Sequence, residues 1–125
     1  MHYMKRLLYI VVLLAISCQN SDSKGVKIEI INQAKNTVSQ IKFYTSNGKN
    51  TLDLGALEPN ESFIGFLSME FEQSDGSYIL DFKRKNLQID HFVSGYFTNG
   101  APIDKKIEVI ILPDTVMWQF KQLDY

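Results

Sequence analysis

The strongest constraint on this chain is a two-residue rhythm that comes in short bursts. Val26, Ile28 and Ile30 alternate with Lys27 and Glu29. Ile41 and Phe43 alternate with Gln40, Lys42 and Tyr44, and Leu52 and Leu54 with Thr51 and Asp53. Tyr78, Leu80 and Phe82 alternate with Ile79, Asp81 and Lys83; Ile107, Val109 and Ile111 follow with Lys106 and Glu108 outward; Val116, Trp118 and Phe120 close the series. Successive side chains of a strand point to opposite faces, so the pattern predicts half-buried β-strands. Leu87 to Ser94 reads as a further strand, and Gly95 to Pro102 as a loop. No segment carries a 3.6-residue period, and no repeat or second domain is visible. Asn47-Gly48 predicts a type I′ hairpin turn, which needs positive φ at both central residues. Asp75-Gly76 predicts a second hairpin, and Pro113 fixes φ for a type I turn over 112–115. Seven to eight short antiparallel strands across 26–125 predict an all-β fold, a sandwich or a small barrel.

Phe63 to Phe71 departs from simple alternation. Phe63, Leu67, Met69 and Phe71 share one face, and Ile64 and Phe66 the other. A strand apolar on both faces is buried on both or presents a contact surface.

The first seventeen residues follow a different logic. Lys5 and Arg6 precede the apolar run Leu7 to Ile16, and the small residue Ser17 stands before the single cysteine, Cys18. The run is too short for a stable membrane-spanning helix, which needs about 20 residues. Charge, short apolar centre and small residue describe an export signal. Ala15-Ile16-Ser17-Cys18 resembles the lipobox of bacterial lipoproteins, although that family prefers Leu at the position Ala15 holds. The resemblance implies cleavage before Cys18 and lipid on its thiol, so the membrane is an expected partner. With one cysteine there is no internal disulfide, and the fold rests on its core. Residues 18–25 are polar and aperiodic, a flexible tether reaching roughly 15–25 Å. Gln19 is not the aspartate that resembles an inner-membrane retention signal, so the outer membrane of a bacterial envelope is the favoured address.

Ile30-Ile31-Asn32 followed by Val38 and Ile41, then Leu57-Glu58-Pro59-Asn60-Glu61-Ser62, resembles the opening strands and inter-strand turn of exported Ig-like domains. The resemblance implies a single Ig-like β-sandwich. Antibody-type domains are excluded, because no Cys-Trp-Cys core is present.

Loss of Lys5 and Arg6 takes the formal charge from −1 to −3. That disfavours nucleic acid, which needs a concentrated basic surface. His91 is the one histidine beyond the signal. Asp90 and Ser94 lie near it, but neighbours on a strand point to opposite faces, and no nucleophile elbow exists. Sharing parity with Leu87, Ile89 and Val93, His91 reads as a rim or core residue, so no catalytic residue is expected. A metal site is not expected either: His91 has no partner ligands, and Asp75, Asp81 and Asp90 follow no calcium-loop spacing. No cofactor is implied. Lys83-Arg84-Lys85 with Lys105-Lys106 could form one basic patch against anionic headgroups; the alternative is a solvated turn and a protected strand start.

Tyr96, Phe97 and Asn99 are the candidate binding residues. Aromatic rings at a loop can stack on a sugar or anchor a protein, and Asn99-Gly100 would present them rigidly. The competing reading folds both rings back to cap the sandwich, with Phe97 the better cap and Tyr96 the better contact. Trp118 reads as core. The expected function is a non-enzymatic, membrane-anchored interaction module with a protein or glycan partner. An inhibitor or immunity lipoprotein against a wall hydrolase or toxin is a second reading. Lysozyme-inhibitor lipoproteins are similar in size and all-β character, but their patterns carry a cysteine pair absent here.

Overall fold

The computed structural model describes residues 24–122; the signal segment 1–17, Cys18 and most of the tether lie outside the described residues. The described chain forms β1 (Gly25–Asn32), β2 (Val38–Thr45), β3 (Thr51–Leu57), β4 (Ser62–Ser68), β5 (Gly76–Lys83), β6 (Ile89–Thr98), β7 (Ala101–Pro102), β8 (Lys106–Ile111) and β9 (Val116–Lys121), with no helix among them. A four-stranded sheet, order β4-β1-β8-β9, and a five-stranded sheet, order β3-β2-β5-β6-β7, make a sandwich-like pair. The all-β expectation therefore holds at the level of two packed sheets.

Two expectations are corrected. The described residues form nine strands rather than the expected seven or eight, because β6 runs on to Thr98 and pairs with the short β7. The expected loop over 95–102 is thus a hairpin, closed by Asn99-Gly100 with φ of 51° and 71°. The sheets are also not wholly antiparallel: β1 and β8 run parallel, Ile28 beside Ile107 and Ile30 beside Val109. Alternation is the same in both pairings, and only the long excursion through β2 to β7 sets the direction of β8.

Turn details differ likewise. At the β2–β3 loop only Gly48 has positive φ, and its N–H donates to the Thr45 carbonyl at 2.8 Å, so the turn is not type I′. Asp75-Gly76 makes no hairpin, because β4 and β5 belong to different sheets and 69–75 carries the chain between them. Gly76 is there for room: a Cβ would sit 2.6 Å from Phe97 Cζ. β1 takes in Gly25, one residue of the expected tether, which pairs with Ser68 and lies beneath the Phe66 ring.

Val26, Ile28 and Ile30 of β1 and Ile107, Val109 and Ile111 of β8 face Ile41, Phe43, Tyr78, Leu80 and Phe82 of β2 and β5, all fully buried or nearly so. Each such side chain contributes about 1.5–3 kcal/mol through burial. Phe43 stacks on Tyr78 at 5.9 Å and touches Trp118, which stacks on Phe120. Trp118 is a partly buried core ring, as its alternation implies.

Bulges break the two-residue rhythm in β2, in β3 beside Gly55 and in β6. Val38 opposes Leu57 but Ile41 opposes Gly55, so one extra residue sits in β2, beside Gln40 at φ 51°. Tyr78 opposes Ser94 but Gly76 opposes Phe97, so another sits in β6, at Gly95 with φ 76°. A bulge puts two residues opposite one and exchanges the faces beyond it. Val38 and Ile41 can therefore both point inward, and so can Ser94 and Phe97.

Buried polar groups close the two ends. Asn32 is fully buried; its amide donates to the Leu57 carbonyl at 2.9 Å and the Asn36 carbonyl at 3.1 Å, and its oxygen accepts from Ala34 N–H at 2.9 Å. Beside it, Arg84 donates from Nε to Asp90 at 2.6 Å and from Nη1 to the Leu112 carbonyl at 3.0 Å, linking the two sheets. Its guanidinium lies 5.0 Å over the Phe82 ring, and Nη2 is enclosed without an acceptor. At the other end, near Gly25, buried Glu72 accepts from Asn50 at 3.0 Å and from Asn47. Burial pushes the Glu72 pKa up, but hydrogen bonds from Thr45, Asn50 and Asn47 and the charge of Lys49 outweigh it, and the net shift is downward.

Candidate interaction surface

The bulge at Gly95 decides what becomes of the expected aromatic pair. Phe97 is 0% exposed and its ring sits 5.5 Å from that of Tyr78, so it is a core residue and offers no surface for binding. Tyr96, its neighbour, is 51% exposed. Asn99 is exposed, but its backbone N–H donates to Asp75 at 2.8 Å, and Gly100 N–H donates to the Ser74 carbonyl at 2.8 Å. A Cβ at Gly100 would lie 2.0 Å from the Glu72 carbonyl oxygen. The hairpin tip is docked on 72–75 and does not project as a free loop.

The outer face of the five-stranded sheet carries the candidate surface. Before the bulge, Ile89, His91 and Val93 point outward and Asp90, Phe92 and Ser94 inward. His91 is thus exposed on the outer face, a correction to its reading as rim or core. Parity with Ile89 and Val93 is genuine, but those two apolar residues are themselves exposed. Val93 pairs across to Ile79, which pairs to Tyr44. One row along, His91 pairs to Asp81, which pairs to Lys42. Tyr44 Oη donates to Asp81 Oδ2 at 2.6 Å, and His91 Nδ1 lies 2.5 Å from Asp81 Oδ1. The hydrogen bond to Asp81, then desolvation, then the carboxylate charge push the Tyr44 pKa up to about 12. The result is a bonded polar row, Tyr44–Asp81–His91, with Ile79 and Val93 on one side and Ile89 on the other. Of these, Ile89 and Val93 escaped sequence reasoning, because their apolar parity with His91 reads as a buried face, whereas Ile79 falls with Asp81 on the face opposite Tyr78 and Leu80.

The elements of a catalytic triad are not brought together. Asp90 is buried and engaged by Arg84 and Gln88, whereas His91 is outside with Asp81. Asp75, Asp81 and Asp90 each have a different partner, and no three His, Cys, Asp or Glu residues among the described residues come close enough to hold a metal ion.

On the four-stranded sheet the apolar second face of β4 is outward. Ile64 and Phe66 are exposed, Leu67 and Met69 are buried, and Phe71, expected beside them, is exposed beyond the strand end. The single basic patch is corrected as well. Lys85, with Lys35, lines an open groove of about 540 Å³ at the end that holds Arg84 and Pro113. Lys105 and Lys106 lie at the opposite end, beside Gly25 and Phe66. The two lysine groups cannot act as one surface.

No known family model and no curated protein matches the chain. Among solved structures, the fold is similar to that of a protein from Eubacterium rectale determined by NMR, with a TM-score of 0.52 at 15% identity, covering 81% of this chain and 92% of that one. At that identity the likeness is one of fold.

Proposed function

We propose that the protein is a membrane-anchored envelope lipoprotein whose β-sandwich is a non-enzymatic interaction module. The observation that supports this reading is the outer face of the five-stranded sheet, where half-buried Ile79 and exposed Ile89 and Val93 flank the Tyr44–Asp81–His91 row, with exposed Tyr96 beyond Val93, and no element among the described residues covers them. Apolar residues interleaved with satisfied polar groups, and one half-exposed tyrosine, have the chemistry of a protein contact. A glycan site of stacked rings has less support, since Phe97 is inside and Tyr96 has no exposed partner ring beside it in sequence. A projecting loop would favour the inhibitor reading, whereas the Asn99-Gly100 tip is pinned to 72–75.

The Ig-like type belongs to the same proposal. With β1 taken as strand B, the orders β4-β1 and β3-β2-β5-β6 match E-B and C′-C-F-G of Ig domains. β8 then takes the place of strand A, but runs parallel to its neighbour.

The anchor is tested by Cys18→Ala, which should abolish palmitate labelling and release the protein from membranes. The surface is tested by a photo-crosslinking residue at Val93 or Tyr96 in the lipidated protein, against a control at Asn86. Discrete crosslinked species from the sheet positions but not from the control support the reading. Their repeated absence overturns it.

A further inference from the structure

We propose that the outer corner of the four-stranded sheet at the Gly25 end rests on an anionic phospholipid surface and so sets how the domain stands on its membrane. This deepens the anchored-lipoprotein reading and rests on it. Cross-strand register brings the residues together. Phe66 of β4 lies beside Lys27 of β1, Lys27 beside Lys106 of β8, and Lys106 beside Lys121 of β9. Lys105 joins them, its carbonyl accepting from Lys27 N–H and its own N–H donating to Lys121. These positions are far apart in sequence, and the β4–β1, β1–β8 and β8–β9 pairings align them.

The carboxylates on this face stand one row inward. Glu29 and Glu108 engage Lys106 at 3.6 and 3.9 Å, and Glu108 engages Lys121 at 3.6 Å. Lys27 and Lys105 are exposed and form no ion pair among the described residues. The Phe66 ring covers the backbone of Gly25, where a Cβ would approach it to 2.5 Å, yet remains 45% exposed. An exposed ring beside two ammonium groups, Lys27 and Lys105, that have no carboxylate partner among the described residues matches an interface of apolar chain and anionic headgroup. The described residues begin at this corner, at Lys24, six positions after Cys18 in the sequence. A tether of this length keeps the Gly25 end, and not the Arg84 end, near the bilayer.

The test uses the chain from residue 18 with Cys18→Ser, which keeps every described residue but carries no lipid. It is mixed with vesicles of phosphatidylcholine alone or phosphatidylcholine with phosphatidylglycerol. Binding is expected only to the anionic vesicles and should fall as salt is raised. Each lysine near the surface is worth about fivefold, so Lys27→Gln with Lys105→Gln should weaken partitioning by roughly 25-fold. Phe66→Ser should weaken it further, and Lys35→Gln with Lys85→Gln, at the far end, should leave it unchanged. Unaltered thermal unfolding of each variant excludes misfolding as the cause. Equal partitioning into both vesicle types, or an equal loss from the far-end variant, overturns the proposal. Labelling of Cys18 in cells alongside such a failure would leave the anchor standing without the patch. Vesicle binding without labelling would do the reverse.

Discussion

Truncating Phe97 should cost the fold far more than truncating Tyr96, although the two are adjacent. Phe97 has no exposed surface, packs on Tyr78 at 5.5 Å, and fills the space over Gly76. Withdrawing a fully buried phenylalanine forfeits about 2–3 kcal/mol of transfer free energy. A residual cavity of roughly 70 Å³, at about 24 cal/mol per Å³, adds about 1.7 kcal/mol. Phe97→Ala should therefore destabilise by about 4 kcal/mol. With a urea slope of about 1–1.5 kcal/mol/M, that lowers the unfolding midpoint by about 3–4 M. Tyr96→Ala, at an exposed position, should stay within about 0.5 kcal/mol of the parent. Urea titration followed by tryptophan fluorescence reads both, since Trp118 lies in the same aromatic cluster. A Phe97→Ala loss under about 1 kcal/mol, or a larger loss from Tyr96→Ala, would refute the inward-outward assignment and the bulge behind it.

Gly95→Ala should lose about 2–4 kcal/mol in the same titration, because φ is 76° and the new Cβ would meet Phe120 at 2.6 Å and Tyr78 at 2.9 Å. Arg84→Met strands a buried carboxylate at Asp90 and should cost about 3–5 kcal/mol, whereas Arg84→Met with Asp90→Leu should recover most of it; a double variant no better than the single would show that the Leu112 link matters more than the charge. Glu72 has its folded pKa below that of the unfolded chain, so its contribution is present above pH about 4.5 and is lost as pH falls through the folded value. Unfolding of Glu72→Gln measured at neutral and acid pH should therefore show a shallower acid loss than the parent. Tyr44→Phe should remove a tyrosinate absorbance transition near pH 12.

The strands were legible where one face is apolar and the other charged, as at Val26–Ile30, Tyr78–Phe82 and Ile107–Ile111. They were misread where exposed residues are apolar. Ile89 and Val93 drew His91 toward the core, and Phe71 extended β4 past its end. Of the expected binding residues, Tyr96 is at the surface, Phe97 is inside, and Asn99 is bound by its backbone to Asp75. Glu72 and Asn32 carried no sequence signal of burial, and Arg84 read as part of a basic patch or solvated turn although its side chain is enclosed, because a buried polar group is recognised by its partners and these come from distant segments.

By itself the amino-acid order determined local matters: which short runs are strands, where most turns fall, and that no disulfide supports the core. Those follow from the alternation of side chains along an extended backbone, a property of neighbours. The tertiary structure decided the partition into two sheets, the parallel β1–β8 pair, and the bulges at Gln40 and Gly95. A one-residue bulge reverses every face beyond it, and its cost is met only by packing against another strand. That is why Phe97 rather than Tyr96 is buried, whereas Phe66, Lys27 and Lys105 share one corner because β1 pairs with both β4 and β8.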